Sequence, residues 1–374
     1  MDVLHINCNY MTTVLHQTMT EHLGRTGVNN HVFAPVYDAA LAVIKPNSNV
    51  TVAECFQKWD RLNFDYKQHK IMSALEKSIR VADFDVLHAY TLFTDGNCAM
   101  KMSKKYGIPY VVAVRSTDVN AFFKYRPWLR GRGVKIMENA AAVFFLSQRY
   151  LELTLEKYVP AGKREELRKK CSVVPNGIDS FWLSNTPVSR GREQLEKLGR
   201  KELDIIVAGR INKNKNQTTV MKAVDILNAR GWNAKLTVVG GTEDEGVVQM
   251  LKQNPAVTVI SAQPKEKLID LYRQSDIFVM PSFQETFGLV YAEAMSQGLP
   301  VIYTRGQGFD GQFPEGTAGY AVKADDPEEI TDRILKLLEN YQTVSSRVPE
   351  LAKQFNWDKI VEEYVSIYRR ITIS

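Results

Sequence analysis

Two basic side chains, Arg210 and Lys215, lie five positions apart in a polar turn. The turn follows a short apolar run at residues 203–208 and precedes a stretch with helical periodicity, which places it at the end of a strand. An Arg guanidinium can bind an oxyanion through two parallel hydrogen bonds, and a Lys ammonium adds a compact charge. Together they suit a diphosphate whose negative charge must be stabilised as it departs. The alternative is a solvated basic turn.

A second group of residues with suitable chemistry occupies the loop and helix start predicted at residues 281–295. Backbone N–H groups at a helix N-terminus form a natural anion site. Glu293 lies four residues after Leu289 and therefore on the same face of this helix. Burying a carboxylate there costs free energy unless a hydrogen-bond donor reaches it. Ribose hydroxyls would serve as donors, whereas the alternative is a pair with a nearby Lys or Arg. The backbone N–H groups at the start of this helix are those of Phe287, Gly288 and Leu289.

The elements that must position these residues alternate short β-branched runs with amphipathic stretches. This alternation is typical of parallel α/β layers, whose ligand loops follow the carboxyl ends of the strands. The chain therefore predicts two sheets, with a break after the Asn176-Gly177 turn and a charged stretch at 189–201 beyond it. The predicted strands are 3–7, 31–35, 85–88, 110–115, 142–146 and 172–175 in the first half, then 203–208, 235–239, 257–260, 277–280 and 301–303.

Taken together, these motifs resemble the retaining glycosyltransferases of family four. The resemblance rests on Arg210 and Lys215 after a glycine, and on Glu285 and Glu293 separated by seven residues. Pro281-Ser282 before the first glutamate, Ala294-Met295 after the second, and the segments 174–179 and 355–357 also look like that family. The resemblance covers most of the chain and is strongest over 172–303.

This resemblance implies the GT-B fold, an α/β architecture of two Rossmann-like domains facing a cleft. The expected domains are an N-terminal acceptor domain at 1–178 and a C-terminal nucleotide-sugar donor domain at 179–355. A C-terminal helix at 356–374 is expected to cross back and pack on the N-terminal domain.

The resemblance also implies roles for individual residues. Arg210 and Lys215 would hold the diphosphate, Glu285 would contact hydroxyls of the donor sugar, and Glu293 would bind the ribose. The amides of residues 287–289 would hold phosphate or sugar. A nucleotide-diphosphate sugar is expected as co-substrate, with no further cofactor and no metal. Asp83-Phe84-Asp85 matches the Asp-x-Asp pattern that in other proteins holds a metal-bound diphosphate. Here the pattern leads into a predicted strand, so we interpret the match as accidental.

The N-terminal half departs from the family in two places. Residues 8–13, which include Tyr10, replace the Gly-Gly loop that many members have after the first strand. Arg115 occupies the strand end where many members have a His, and an Arg cannot accept a proton near neutral pH. Arg115 could instead bind a sugar hydroxyl or phosphate, so Arg115 is a candidate catalytic residue and Tyr10 a candidate ligand contact. His88, at another strand end, is also a candidate to line the cleft.

The most basic stretch is residues 122–135, which hold five cations, no acidic residue and four aromatic side chains. It lies in the basic half of the chain: residues 1–175 carry 24 Lys and Arg against 16 Asp and Glu. Aromatic side chains beside cations favour an anionic membrane surface. The alternatives are a solvated loop with inward-packed aromatics, or single-stranded nucleic acid, which we rank lower and do not expect as a partner.

Composition is consistent with a cytoplasmic protein, with the inner face of the membrane as a candidate location. Hydrophobic residues make up 44% and charged residues 24% of the 374 residues, and no apolar run approaches the length of a membrane span. The N-terminus lacks the basic and cleavage features of a signal peptide. The four cysteines are widely spaced and predict neither a zinc site nor a disulfide framework.

The resemblance, together with the basic N-terminal half, therefore implies a retaining glycosyltransferase with a glycan or lipid-linked acceptor, in cell-surface polysaccharide synthesis. A nucleotide-sugar epimerase of the same fold is the alternative, although the Arg, Lys and two Glu residues argue against it. A non-catalytic module that binds glycans or nucleic acid is a third hypothesis.

Overall fold

The computed structural model describes residues 1–187, 196–197 and 199–373. Most of the predicted charged stretch at 189–201 lies outside these residues. The chain divides into two compact units. The first comprises Met1–Leu146, Tyr150–Pro175 and Trp357–Ser374, and the second comprises Ser147–Arg149 and Asn176–Asn356.

Each unit is built on one parallel β-sheet. The first sheet has the strand order β3-β2-β1-β4-β5-β6-β7, and the second has the order β10-β9-β8-β11-β12-β13. Both follow the 3-2-1-4-5-6 order of the Rossmann fold, with one added strand in the first. The strands are β1 Asp2–Ile6, β2 Asn29–Val36, β3 Val50–Glu54, β4 Val86–Ala89, β5 Tyr110–Val114, β6 Ala142–Phe145, β7 Cys171–Val173, β8 Glu202–Ala208, β9 Asn233–Val239, β10 Val257–Ile260, β11 Ile277–Met280, β12 Val301–Thr304 and β13 Gly319–Val322.

Helices connect the strands, since a parallel pair needs a crossover. Within the described part of the chain, none of the helices combines the length and the apolarity that a membrane crossing requires. The α-helices are α1 Val14–Arg25, α2 Phe64–Ser78, α3 Thr94–Tyr106, α4 Arg130–Asn139, α5 Gln148–Tyr158, α6 Ala161–Lys170, α7 Ser180–Ser184, α8 Gln217–Ala229, α9 Glu245–Lys252, α10 Lys265–Gln274, α11 Leu289–Ser296, α12 Pro327–Glu339, α13 Tyr341–Ala352 and α14 Trp357–Thr372.

The sequence-based prediction missed β3 and β13, which are edge strands of their sheets. The side chains of β3 are only partly buried, so its hydrophobic pattern is weak. The sequence pattern predicts a helix over residues 71–81, whereas helix α2 begins at Phe64, seven residues earlier. The Asn63 side chain caps this helix by accepting the Tyr66 N–H at 3.1 Å, a signal that the periodicity alone did not contain.

The C-terminal helix α14 packs within the first unit, as the resemblance implied. Trp357, Tyr364 and Tyr368 are buried in one apolar cluster with residues of β1, β4 and β5. The Tyr368 hydroxyl lies 2.6 Å from His88 Nδ1, and His22 Nδ1 lies 2.7 Å from a carboxylate oxygen of Asp358. These aromatic and polar contacts fix the last helix against the N-terminal sheet.

Candidate functional site

An ion pair joins the two motifs of the second unit. Lys215, in the loop after β8, places its Nζ 2.5 Å from Glu285 Oε2, in the loop after β11. The two side chains are only 15% and 12% exposed. Because β8 and β11 are neighbours in the sheet, their carboxyl ends bring residues 70 positions apart into contact. The site thus has a partly buried ammonium and carboxylate side by side.

Two asparagines hold these loops together. The Asn214 side chain exchanges hydrogen bonds with the backbone of Gln284, donating at 2.9 Å and accepting at 3.0 Å. Asn216 adopts a left-handed conformation, with φ of 59°, immediately before α8. Its buried amide donates to the Pro281 carbonyl at 3.1 Å. A short polar side chain that tolerates this conformation is what the turn requires.

Arg210 is held differently from Lys215. Its Nη1 lies 2.8 Å from Glu243 Oε1, and its side chain is 69% exposed. Asn212 donates to the other oxygen of Glu243 at 2.7 Å. These donors hold the pKa of Glu243 below its usual range. Arg210 is therefore an accessible guanidinium at the same strand end, tethered to a carboxylate that an anion would have to displace or share.

The start of α11 offers unpaired backbone donors. Gly288 has φ of 81° and precedes the helix, which has no side-chain cap. Among the described residues, no acceptor contacts the N–H groups of Phe287, Gly288 or Leu289. The Phe287 side chain is buried against Phe309 and Phe355, so its amide is rigidly placed. This geometry can hold an anion beside the ion pair.

A third loop, after β12, holds the backbone of Glu285 by hydrogen bonds. The Glu285 N–H donates to Gln307 Oε1 at 3.0 Å, and the Gly308 N–H donates to the Glu285 carbonyl at 2.9 Å. A Cβ atom on Gly308 would lie 1.8 Å from the Thr286 carbonyl oxygen. Only glycine allows the two loops to approach this closely.

Glu293 lies on α11 with an unusual carboxyl group. It is partly buried, and no described donor or cation contacts its side-chain oxygens. Burial, with a smaller effect from the Asp179 carboxylate, raises the pKa of Glu293 to about 7. The pairing with Lys or Arg that the sequence left open is absent from the described structure. The carboxylate is thus available to accept hydrogen bonds from a ligand.

If Glu293 accepts hydrogen bonds from ribose, nucleotide affinity will depend on its ionisation. With a pKa of about 7, the free carboxyl is mostly ionised at pH 8 and mostly protonated at pH 6. Affinity for UDP, GDP or ADP should therefore fall roughly tenfold between pH 8 and pH 6, measured by calorimetry. The nucleotide phosphate also titrates near pH 6. The same affinity measurements on Glu293→Gln therefore give the part of the pH dependence that comes from the phosphate. Parallel pH profiles for wild type and variant would show that Glu293 does not contact the nucleotide.

Arg115 lies in the first unit, at the carboxyl end of β5. Its Nε donates to the Tyr90 carbonyl at 3.2 Å, and its backbone N–H donates to Asp118 Oδ2 at 2.9 Å. Asp118 is buried and also accepts the N–H groups of Leu92 and Phe93. Burial, opposed by these bonds, raises the pKa of Asp118 to about 6. Asp118 therefore joins the turns after β4 and β5 and orients Arg115.

Tyr10 and His88 are core residues of the first unit. Tyr10 is 2% exposed, and its hydroxyl lies 3.2 Å from Thr20 Oγ1. This burial does not support its interpretation as a ligand contact. His88 is fully buried, stacks on Tyr90 with ring centroids 4.4 Å apart and bonds Tyr368. Its position at a strand end suggested a ligand-facing residue, but α14 covers that strand.

Several residues at the site were not singled out from the sequence. Asn214, Gln307 and Gly308 position Glu285, and Asp118 positions Arg115. The sequence does contain two signals for them. Asparagine recurs at 212, 214 and 216, and Gly306-Gln307-Gly308 directly follows an apolar strand. Both patterns indicate loops with special backbone requirements.

Comparison with known proteins identifies the family of each half of the chain. Residues 13–180 match the model described as "Glycosyltransferase Family 4". Residues 192–355 match the model described as "Glycosyl transferases group 1". The two matches together cover nearly the whole chain.

Curated relatives carry glycosyltransferase names. D-inositol 3-phosphate glycosyltransferase of Mycolicibacterium smegmatis is 24% identical over 93% of this chain and 83% of its own length. The protein of the same name from Corynebacterium urealyticum is 26% identical over 48% of each chain, so that match spans about half of the relative. The capsular polysaccharide biosynthesis glycosyltransferase CapM of Staphylococcus aureus is 31% identical over 52% of each chain.

Solved structures share the fold at low sequence identity. Sucrose-phosphate synthase from Thermosynechococcus elongatus has a TM-score of 0.75 and 18% identity, with 99% of this chain and 98% of that chain covered. Anabaena HepE in complex with UDP-glucose has a TM-score of 0.67 and 16% identity, covering 98% and 99%. Two Rossmann-like units with these neighbours establish the GT-B fold. With both halves matched by glycosyltransferase models, the chain belongs to glycosyltransferase family four.

Proposed function

We propose that this protein is a retaining, metal-independent glycosyltransferase. It moves a sugar from a nucleotide-diphosphate sugar to a glycan or lipid-linked acceptor in cell-surface polysaccharide synthesis, at the cytoplasmic face of the membrane. The observation that carries the proposal is the ion pair between Lys215 and Glu285 beside the unpaired amides of residues 287–289. This arrangement offers a cation and amides to a diphosphate, and a carboxylate to sugar hydroxyls.

In this proposal the second unit binds the donor. Lys215 and Arg210 stabilise the charge that develops on the diphosphate when its bond to the anomeric carbon breaks. The amides of residues 287–289 bind phosphate or sugar. Glu285 is fixed by Lys215 and by the loop at 306–308, so it can orient the donor sugar. Glu293 accepts hydrogen bonds from the ribose hydroxyls.

The new bond joins the anomeric carbon to an acceptor oxygen, which must lose its proton. Arg115 cannot accept that proton. We therefore assign the proton to the departing phosphate oxygen, which keeps the charge balanced as the sugar is transferred. Arg115, oriented by Asp118 and by the Tyr90 carbonyl, is assigned to binding a sugar hydroxyl or phosphate during this step.

Nucleotide screening tests the donor assignment. Calorimetry against UDP, GDP, ADP and their sugars should show binding of one nucleotide family, and incubation of that donor with acceptor should give a product whose anomeric configuration NMR can read. Retention supports the proposal. Conversion of the sugar to its epimer without acceptor would support the epimerase instead, and binding of no nucleotide would favour a non-catalytic module.

The membrane proposal rests on an exposed surface of the first unit. Tyr125 and Trp128, within residues 122–135, are 65% and 74% exposed. Trp59 and Leu62 precede α2 and are 78% and 86% exposed. Arg132 pairs with Asp65 of α2, which joins the two segments into one surface. Large exposed aromatic side chains beside cations are suited to the headgroup region of a bilayer.

The structure separates surface side chains from structural ones within 122–135. Arg130 Nε donates to the Phe123 carbonyl at 2.7 Å and Arg132 pairs with Asp65, so both stabilise the fold. Replacing Lys124, Tyr125 and Trp128 with Ser should instead reduce sedimentation with anionic vesicles by about fivefold or more, because about 1 kcal/mol accompanies each basic residue near such a surface. Donor hydrolysis should be unchanged. Equal sedimentation of variant and wild type would remove this surface as a membrane contact.

A further inference from the structure

A cavity of about 420 Å³ lies within the first unit. Its wall includes Cys8 and Asn9 after β1, Tyr37 after β2, and Thr91 after β4. It therefore opens at the carboxyl edge of the first sheet, where ligands of Rossmann-like folds bind. Its volume is that of a small-molecule site. The proposed donor residues all belong to the second unit, so this cavity is separate from them in the chain.

Three cations of this wall have no carboxylate partner among the described residues: Arg61, Lys67 and Arg126. Each lies over an aromatic ring instead. Arg61 is 5.0 Å from the centroid of Tyr37, Lys67 is 4.3 Å from that of Phe56, and Arg126 is 4.7 Å from that of Phe122.

Two other cations of the first unit, on α2 and α4, are neutralised. Lys70 pairs with Asp60 at 2.8 Å, and Arg132 pairs with Asp65. The three wall cations, in contrast, have no such carboxylate partner in the described part of the chain. Aromatic faces hold them at the wall without cancelling their charge.

The acidic side chains of the wall do not neutralise these cations. Asp118 is buried and accepts three backbone N–H groups. Asp38 accepts the Ala40 N–H at 2.9 Å as the cap of a short helix. The remaining wall is mostly apolar and includes Met11, Leu41 and Phe64. The cavity therefore combines positive charge with an apolar lining.

We propose that this cavity binds the phosphate, or a similar oxyanion, of an acceptor that also carries an apolar group. This inference rests on the proposed function, because it names the class of acceptor. Arg61, Lys67 and Arg126 bind the oxyanion through charge-assisted hydrogen bonds. The aromatic and aliphatic wall contacts the apolar group, so a neutral alcohol or a bare phosphate satisfies only half of the site.

Calorimetry with three soluble probes tests this division. Hexyl phosphate should bind at least tenfold more tightly than inorganic phosphate or hexanol. The double variant Arg61→Gln with Lys67→Gln should bind hexyl phosphate at least tenfold more weakly, since hydrogen bonds to charged groups are lost. Lys77→Gln with Lys104→Gln removes the same charge from exposed positions outside the wall and should bind as wild type does. Equal binding by both double variants would overturn the proposal.

Flotation with phosphatidylcholine vesicles identifies the source of the phosphate. Vesicles that contain a long-chain alkyl phosphate should recruit wild type more than the Arg61 and Lys67 double variant if the acceptor is lipid-borne. If these vesicles recruit wild type and the double variant equally, while wild type still binds hexyl phosphate, the cavity is assigned to a free acceptor. Nucleoside diphosphate binding on the same samples reports the second unit. If the protein binds nucleoside diphosphate but not hexyl phosphate, only the cavity proposal is wrong. If it binds hexyl phosphate but no nucleoside diphosphate, the proposed donor site is wrong.

Discussion

Lys215→Ala should lower turnover by about 10² or more while leaving the fold intact. Lys215 is the only residue of the pair that can stabilise a departing diphosphate, and it is 15% exposed, so water screens its charge weakly. Its removal also leaves the partly buried Glu285 carboxylate without its cation, which adds repulsion toward the phosphates. Initial rates of sugar transfer at saturating donor, with circular dichroism as the check on folding, measure the effect.

Two neighbouring cations provide graded controls for this result. Lys213 lies in the same loop, but its side chain is 87% exposed and its Nζ lies as far as 4.0 Å from the Asp244 carboxylate. Because such an exposed charge contributes little, Lys213→Ala should leave turnover within about twofold. Arg210 is 69% exposed and shares its charge with Glu243, so Arg210→Ala should cost less than Lys215→Ala, about tenfold. Near-normal turnover of Lys215→Ala would remove Lys215 from the chemistry.

Gly308→Ala should lower turnover by about 10², although residue 308 touches no ligand in the proposal. The new Cβ would lie 1.8 Å from the Thr286 carbonyl oxygen, so the loops after β11 and β12 must separate. Their separation breaks the bond from the Gly308 N–H to the Glu285 carbonyl and displaces Glu285 together with the Phe287 amide. A misplacement of about 1 Å in a catalytic group can cost this much. Donor affinity and transfer rate are the measurements.

Gly241→Ala is the matched control for this change. Gly241 lies in the same unit, and a Cβ there would meet no atom within 4 Å. Its transfer rate should remain near that of wild type. Gln307→Ala tests the same loop without a steric clash, because it removes only the acceptor for the Glu285 N–H, and it should give a smaller loss of about tenfold. Unchanged donor affinity in both Gly308→Ala and Gln307→Ala would show that this loop does not position Glu285.

The sequence by itself determined the two-sheet α/β architecture and the family. Buried parallel strands are short apolar runs, and the strands at the centres of both sheets were recognisable as such. The motifs around Arg210, Lys215, Glu285 and Glu293 are local, because each depends on a strand end followed by a helix start. Edge strand β3 escaped detection because its side chains are partly exposed and its periodic signal is weak, and the short, fully buried edge strand β13 was also missed.

Only the tertiary structure decided how those motifs meet. The contact between Lys215 and Glu285 spans 70 residues and arises because β8 and β11 are adjacent, an order that local patterns do not contain. The packing of α14 likewise decided that His88 is a core residue, because a residue 280 positions away supplies its hydrogen bond.

The same distinction separates the cations of the first unit. Arg61, Lys67, Arg126 and Arg132 are equivalent in a sequence, where each is one more positive charge. The fold gives Arg132 a carboxylate partner and sets the other three over aromatic rings around a cavity. Charge and composition follow from residue types alone, whereas neutralisation depends on which side chains long-range folding brings within a few ångströms.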